Sequence, residues 1–107
     1  MTLQELLDFI KSEDQRLIEH FGKGADKEKI ILARTVKLTE ELGELCDEVL
    51  TFNKDQRKEK LENYNKENLP EEFADVIITA FLLAKVMRVD IEKALEKKVK
   101  KIINRKY

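Results

Sequence analysis

Apolar residues recur along the chain at spacings of three and four, and that period predicts helices throughout. Leu3, Leu6, Leu7, Ile10, Leu17, Ile18 and Phe21 mark a first helix. Thr2 and Glu5 open it as a T-x-x-E capping box, in which each side chain serves the other's backbone amide. Gly22 and Gly24 should end it, because glycine readily takes left-handed backbone. A second helix is expected from an N-cap at Asp26 to about Phe52. Its inner stripe would be Ile31, Val36, Leu38, Leu42, Leu45, Val49 and Phe52. Residues 53–69 are almost entirely polar, with Leu61, Tyr64 and Leu69 as the apolar anchors, and predict an exposed helix or helix-plus-loop at the surface. Pro70 suits the first turn of a third helix, about 70–87, where its missing N–H costs nothing. From Phe73 that helix reads FADVIITAFLLAKV, apolar nearly all round, which demands burial on most sides. Asp90 is the natural N-cap of a fourth helix, about 91–105, with Ile91, Leu95, Val99, Ile102 and Ile103 facing inward.

Four helices and few turn residues (three Gly, one Pro) predict an all-α, four-helix bundle-like fold. Its 107 residues fit one domain spanning 1–107. A core of that size is marginal on its own. The all-round apolar third helix should therefore bury part of its surface against another copy, in a homodimer or homotetramer.

Composition narrows the functions available. Lys and Arg number 21 and Asp and Glu 22, so the chain lacks the cationic excess on which nucleic-acid binders rely. The longest apolar stretch, Val76 to Ala84, is far short of the roughly 20 residues that span a membrane. The opening MTLQELLDFIKSEDQ has acids where a secretory segment would be apolar. One thiol, Cys46, and no export signal point to the cytoplasm. A single histidine, His20, excludes a multi-histidine metal centre; Leu17 stands three residues before it, so the E-x-x-H motif of di-iron bundles is missing too. His20 reads best as a surface residue at a helix end.

The informative side chains are carboxylates. Glu41 and Glu44 lie three apart on the second helix and share a face, with Glu40 adjacent and Glu48 a turn further on. Glu72 and Asp75 repeat the spacing on the third helix. In a chain this charged, such a pair is usually a solvated helix face, and acids at a helix start also complement its dipole. Context separates these two pairs from the others. Asp75 is embedded in apolar residues, and Glu41 and Glu44 are interleaved with Leu38, Leu42 and Leu45. A carboxylate at such a border is costly unless a cation or donor compensates it. Two pairs on facing helices could converge four hard oxygen ligands, a set suited to Mg²⁺ or Mn²⁺.

The string Lys37-Leu38-Thr39-Glu40-Glu41-Leu42-Gly43-Glu44-Leu45, followed by Glu72-Phe73-Ala74-Asp75-Val76, resembles the E-E-x-x-E … E-x-x-D signature of the MazG-like, all-α nucleoside triphosphate pyrophosphohydrolases. The tail from Val89 to Leu95 and from Lys100 to Tyr107 is similar to that family's last helix. Arg88 stands where a Gly would be expected before Val-Asp, and the polar 53–69 stretch makes a long spacer between the acid pairs.

The resemblance implies hydrolysis of a nucleoside or deoxynucleoside triphosphate to the monophosphate and pyrophosphate. It implies Glu41, Glu44, Glu72 and Asp75 as metal ligands, with Glu40, Glu41 and Glu44 forming the catalytic acid motif. Glu40 or Glu48 would be a further ligand or the base that orients water. Lys100, Asn104 and Arg105 match the family's tail and are candidates for substrate binding. Lys37, one turn before Glu41, could contact phosphate or pair with Glu41. Phe52, Tyr64, Phe73 and Tyr107 are candidates for stacking on a base, Phe73 reading more readily as core. The competing reading is a non-catalytic helical module for oligomerisation or regulation that binds nucleotide or a protein partner.

Overall fold

A computed structural model of the chain describes residues 1–53 and 68–107. Among the described residues there are four α-helices and no strand: α1 (Leu3–Leu17), α2 (Lys27–Phe52), α3 (Asn68–Val86) and α4 (Ile91–Ile103). The expected all-α architecture holds. Leu61 and Tyr64, the expected anchors of the polar stretch, lie outside the described residues, while Leu69 belongs to α3. That helix begins at Asn68, so Pro70 still falls in its first turn.

The ends of the helices follow local chemistry. The Glu5 amide donates to Thr2 Oγ1 at 3.1 Å and the Thr2 amide to Glu5 Oε1 at 3.2 Å, completing the capping box. The last residues of the expected first helix, Ile18–Gly22, widen into a π-helical turn. The chain then reverses through Gly22 to Ala25, where the Ala25 amide donates to the Gly22 carbonyl at 2.9 Å. Lys23 sits at φ −60°, ψ 120° and Gly24 at φ +82°, the geometry of a type II turn. Gly24 thus supplies the left-handed residue, and Gly22 does not. Asp26 caps α2 through the Lys29 amide (2.9 Å), and Asp90 caps α4 through the Lys93 amide (3.1 Å).

α3 ends in a Schellman motif: the Val89 amide reaches the Ala84 carbonyl at 3.0 Å and the Arg88 amide the Lys85 carbonyl at 3.1 Å. Arg88 takes φ +56° there. The expectation of a glycine at this position has a physical basis, since a Cβ is strained in left-handed backbone.

α3 is the central helix, packed against α2 on one side and α1 on another. One side chain ties all three together. Arg34 of α2 donates from Nη1 to Asp14 Oδ1 of α1 at 2.6 Å and to the Leu82 carbonyl of α3 at 2.9 Å. Arg34 is buried, and its charge is matched by the largely buried Asp14. Around this bracket lie the buried apolar residues Ile10 and Leu82.

Several residues expected in the core are not there. Val36 is 68% exposed, Phe52 55%, and Leu42 and Phe73 are each 49% exposed. Val36 lies on the side of α2 turned away from Arg34 and Glu41, because residues two or five apart diverge by well over 90° on a helix. The α4 stripe is exposed as well, Val99 and Ile103 included, since α4 is not seated on the other three helices.

Replacing Arg34 by Ala should leave Asp14 and the Leu82 carbonyl without their donor and cost about 3 kcal/mol in urea unfolding. Arg88→Gly should relieve the left-handed backbone and be neutral or stabilising by up to about 1 kcal/mol in the same measurement.

Candidate metal centre

α2 and α3 are packed along each other, and their facing sides carry the acids. Glu41 and Glu48 are two turns apart on α2 and share one face. Glu72 and Asp75, in the first turns of α3, approach that face from the other side. One carboxylate oxygen each from Glu41, Glu72 and Asp75 lie within 4.8 Å of one another. Glu41 is buried, Glu72 half-buried and Asp75 open to solvent, so the cluster is a pit with an exposed mouth.

The hydrogen bonding is incomplete in a specific way. Lys37 Nζ lies 3.2 Å from Glu41 Oε1 and 3.5 Å from Glu40 Oε2. The other Glu41 oxygen, Oε2, is buried with no hydrogen-bond partner among the described residues, and so are Glu48 Oε2 and Glu72 Oε2. Buried carboxylate oxygens are ordinarily satisfied. Three orphans at one helix–helix seam call for a compensating positive charge.

Titration behaviour agrees. Burial raises the Glu72 carboxyl above its ordinary value, and the charges of Glu44, Asp75, Glu41 and Glu48 push it the same way. Glu44 is raised chiefly by the charge of Glu41, then by burial and Glu40. Lys37 is raised by its hydrogen bond to Glu41 and by the charge of Glu40. The lysine therefore relieves one edge of the cluster only. An all-oxygen donor set of this kind fits a hard divalent cation.

Lys37 also lines a groove of about 620 Å³ between α1, the π-helical turn, α2 and α3. Its walls are mostly apolar, with Phe21, Ile30 and Leu82 among them, and its cations are Lys29, Arg34 and Lys37. Thr79, one turn past Asp75, brings a hydroxyl to the same groove.

Of the residues singled out from sequence, Glu41, Glu72 and Asp75 converge, and Lys37 sits at their edge. Glu44 is exposed beside them and Glu40 is exposed and paired with Lys37. Lys100, Asn104 and Arg105 are exposed on α4 and the tail. Among the described residues, no hydrogen bond or ion pair links them to the carboxylates. Phe73 and Tyr107 are exposed, and nothing in the structure brings them to the groove. Arg34 and Asp14 were not foreseen. The signal was an arginine inside the apolar run Ile30-Ile31-Leu32-Ala33-Arg34, but its partners are 20 and 48 residues away in sequence.

Residues 31–107 match the family model of the MazG nucleotide pyrophosphohydrolase domain. The match covers most of the chain and contains α3, α4, nearly all of α2 and every acid of the cluster. The chain belongs to that family. No curated protein and no solved structure matches it significantly.

Because Glu72 binds its proton more tightly folded than unfolded, its contribution to stability is present in acid and is lost as pH rises through the raised value. The metal-free protein should therefore lose this contribution as the pH is raised above the ordinary glutamate range, and Glu72→Gln should flatten that part of the melting-temperature profile. Saturating divalent cation should raise the wild-type melting temperature at pH 7 by roughly 10 °C, given about 2.7 kcal/mol at a hundredfold excess over Kd. Glu72→Gln should remove most of that rise.

Proposed function

We propose that the chain hydrolyses a nucleoside or deoxynucleoside triphosphate to the monophosphate and pyrophosphate, with Mg²⁺ (or Mn²⁺) held at the carboxylate cluster. The observation that carries this reading is the set of three buried oxygens on Glu41, Glu48 and Glu72 that have no hydrogen-bond partner among the described residues, lying within the segment that matches the family. Glu41, Glu72 and Asp75 would hold the cation, and Glu44 would join them by a change of side-chain rotamer. A bound divalent cation would offset the negative charge of the triphosphate and lower the pKa of a coordinated water.

The chain's own groups do the rest. Carboxylates alone repel a polyphosphate, so cations must flank them. Lys37 is at hydrogen-bonding range of Glu41 and lines the groove, a position from which it would bridge the cluster and a bound nucleotide. The groove's apolar walls suit a base and sugar, and Lys29 and Thr79 offer it polar contacts. Hydrolysis to pyrophosphate requires water to attack the α-phosphorus while the β-phosphate oxygen leaves. The residue that orients this water needs a free oxygen facing the cluster. Glu48 Oε2 is buried with no hydrogen-bond partner among the described residues, whereas Glu40 is engaged by Lys37, and this favours Glu48 for the role. The lone exposed thiol, Cys46, fits a reducing, cytoplasmic setting.

Pyrophosphate release from the common ribo- and deoxyribonucleoside triphosphates, with and without Mg²⁺, tests the proposal. At least one should be turned over, and only with the metal. Glu41→Gln and Asp75→Asn should each lower turnover by about 100-fold or more while helical circular dichroism is retained. Glu48→Gln should cost more than Glu40→Gln. Thermal stabilisation by nucleotide and Mg²⁺ without release from any nucleotide would instead support the non-catalytic module.

A further inference from the structure

The groove contains one polar group that the fold fixes in place without using it fully. Arg34 lines the groove and is only 9% exposed. Its two hydrogen bonds, to Asp14 and to the Leu82 carbonyl, both leave from Nη1. Nε and Nη2 have no hydrogen-bond partner among the described residues. These two nitrogens carry the parallel N–H pair of a guanidinium, a rigid fork that takes two adjacent acceptors at once. Because Asp14 and α3 already pin the group, a ligand that takes the fork has little left to order.

The rest of the polar lining is one-sided. It consists of Lys29, Lys37 and Thr79, and no carboxylate, amide or imidazole lines the groove among the described residues. The groove therefore offers N–H and O–H donors, with the Thr79 hydroxyl as its one side-chain acceptor among the described residues. Nucleobases differ in what they present to such a wall. Guanine and hypoxanthine carry O6 and N7 side by side, two acceptors that match an arginine fork. Adenine sets an amino group beside N7, and cytosine carries one at C4, so each turns a donor toward a donor. Uracil and thymine present a single oxygen there and engage one arm of the fork only. Phe21 lines the same groove although it is 86% exposed, and its ring offers a face on which any base can stack.

We propose that the groove selects a 6-oxopurine nucleotide, one of guanine or hypoxanthine, and that Arg34 reads the base: Nε and Nη2 donate to O6 and N7 while Nη1 keeps the helices bracketed. Arg34, Lys37 and Glu41 stand at i, i+3 and i+7 on one face of α2. Arg34 precedes Glu41 by about 10 Å along the helix axis, so a base on the fork directs its phosphates past Lys37 toward the cluster. Because Arg34 also ties three helices together, it is not free to vary, and the walls from Leu17 to Ile30 set the shape of the ring held against it. The base preference stands on the groove alone. The triphosphate part of the ligand rests on the function proposed above.

Calorimetric titration of the full chain with Mg²⁺ and the non-hydrolysable α,β-methylene triphosphates of guanosine, inosine, adenosine and cytidine tests the preference apart from turnover. The guanosine and inosine analogues should bind about 10- to 100-fold more tightly than the other two. Equal affinity for the guanosine and adenosine analogues, tighter binding of the adenosine analogue, or no binding of any of the four would overturn the preference. In pyrophosphate release, 7-deaza-GTP, which lacks one of the two acceptors, should show a kcat/KM about 10-fold below that of GTP; equal values would overturn the contact to N7. Arg34→Lys keeps a cation for Asp14 and removes the fork, so in the folded variant the ratio of guanosine to adenosine affinity should fall to about one. A folded Arg34→Lys protein with the wild-type ratio would overturn the role of Arg34. Phe21→Ala should weaken all four analogues by about 10-fold and leave their ratios intact, since stacking is tolerant of base identity; loss of the ratios in this variant would overturn the assignment of base reading to Arg34. A wild type that shows the preference in titration yet releases no pyrophosphate would overturn the proposed function and leave the base preference standing.

Discussion

A carboxylate taken out of water without a full set of donors is the constraint around which this protein is arranged. Glu41 is buried, and one of its two oxygens meets Lys37 while the other has no hydrogen-bond partner among the described residues. Glu72 and Glu48 add two more such oxygens at the same seam. Like charges in a partly desolvated pit raise each other's proton affinity, as Glu44 and Glu72 show. A fold that served stability alone would place apolar side chains there. The strain persists because the helices carrying it are held together elsewhere.

The hold comes from Arg34. It lies two turns before Glu41 on the same face of α2, and it reaches both α1 and the middle of α3. The guanidinium is matched by Asp14 and by a main-chain carbonyl, so its burial is compensated where that of the carboxylates is not. The two ends of the α2–α3 seam thus have opposite electrostatic character. One is a satisfied ion pair that locks the helices; the other is an excess of negative charge that a cation could offset. The groove is lined by the cations Lys29, Arg34 and Lys37, and Lys37 also meets Glu41 of the acidic cluster.

Much of this was legible in the residues. Helix starts were announced by Thr2, Asp26 and Asp90, whose side chains cap in the way their chemistry dictates. The acid pairs could be ranked by the apolar residues around them, and Glu41, Glu72 and Asp75 do converge. Burial was less legible. The periodicity of α2 shows two apolar stripes, and spacing alone cannot say which one faces α3; Val36 and Phe52 were assigned inward and lie exposed. Glu48 could be placed near the site but not shown to bury an oxygen, because that depends on how deeply α2 and α3 interlock. The Arg34 bracket joins residues far apart in the chain, and no local pattern encodes such a contact.

The family match begins at Ile31, after the turn that joins α1 to α2. The acids lie inside the matched segment, but Leu17, Ile18, Phe21 and Ile30, which wall the groove, lie before it. On the proposed reading, chemistry and selectivity would be carried by different stretches of chain. The cluster needs carboxylates at fixed helical spacing and tolerates little change. The groove needs only apolar bulk and a few polar contacts, supplied by a π-helical turn and a glycine-containing reversal that can vary without disturbing α2 or α3. On the proposed reading, a change in which base is accepted would arise in residues 17–30, while the Arg34 bracket keeps the catalytic helices in register.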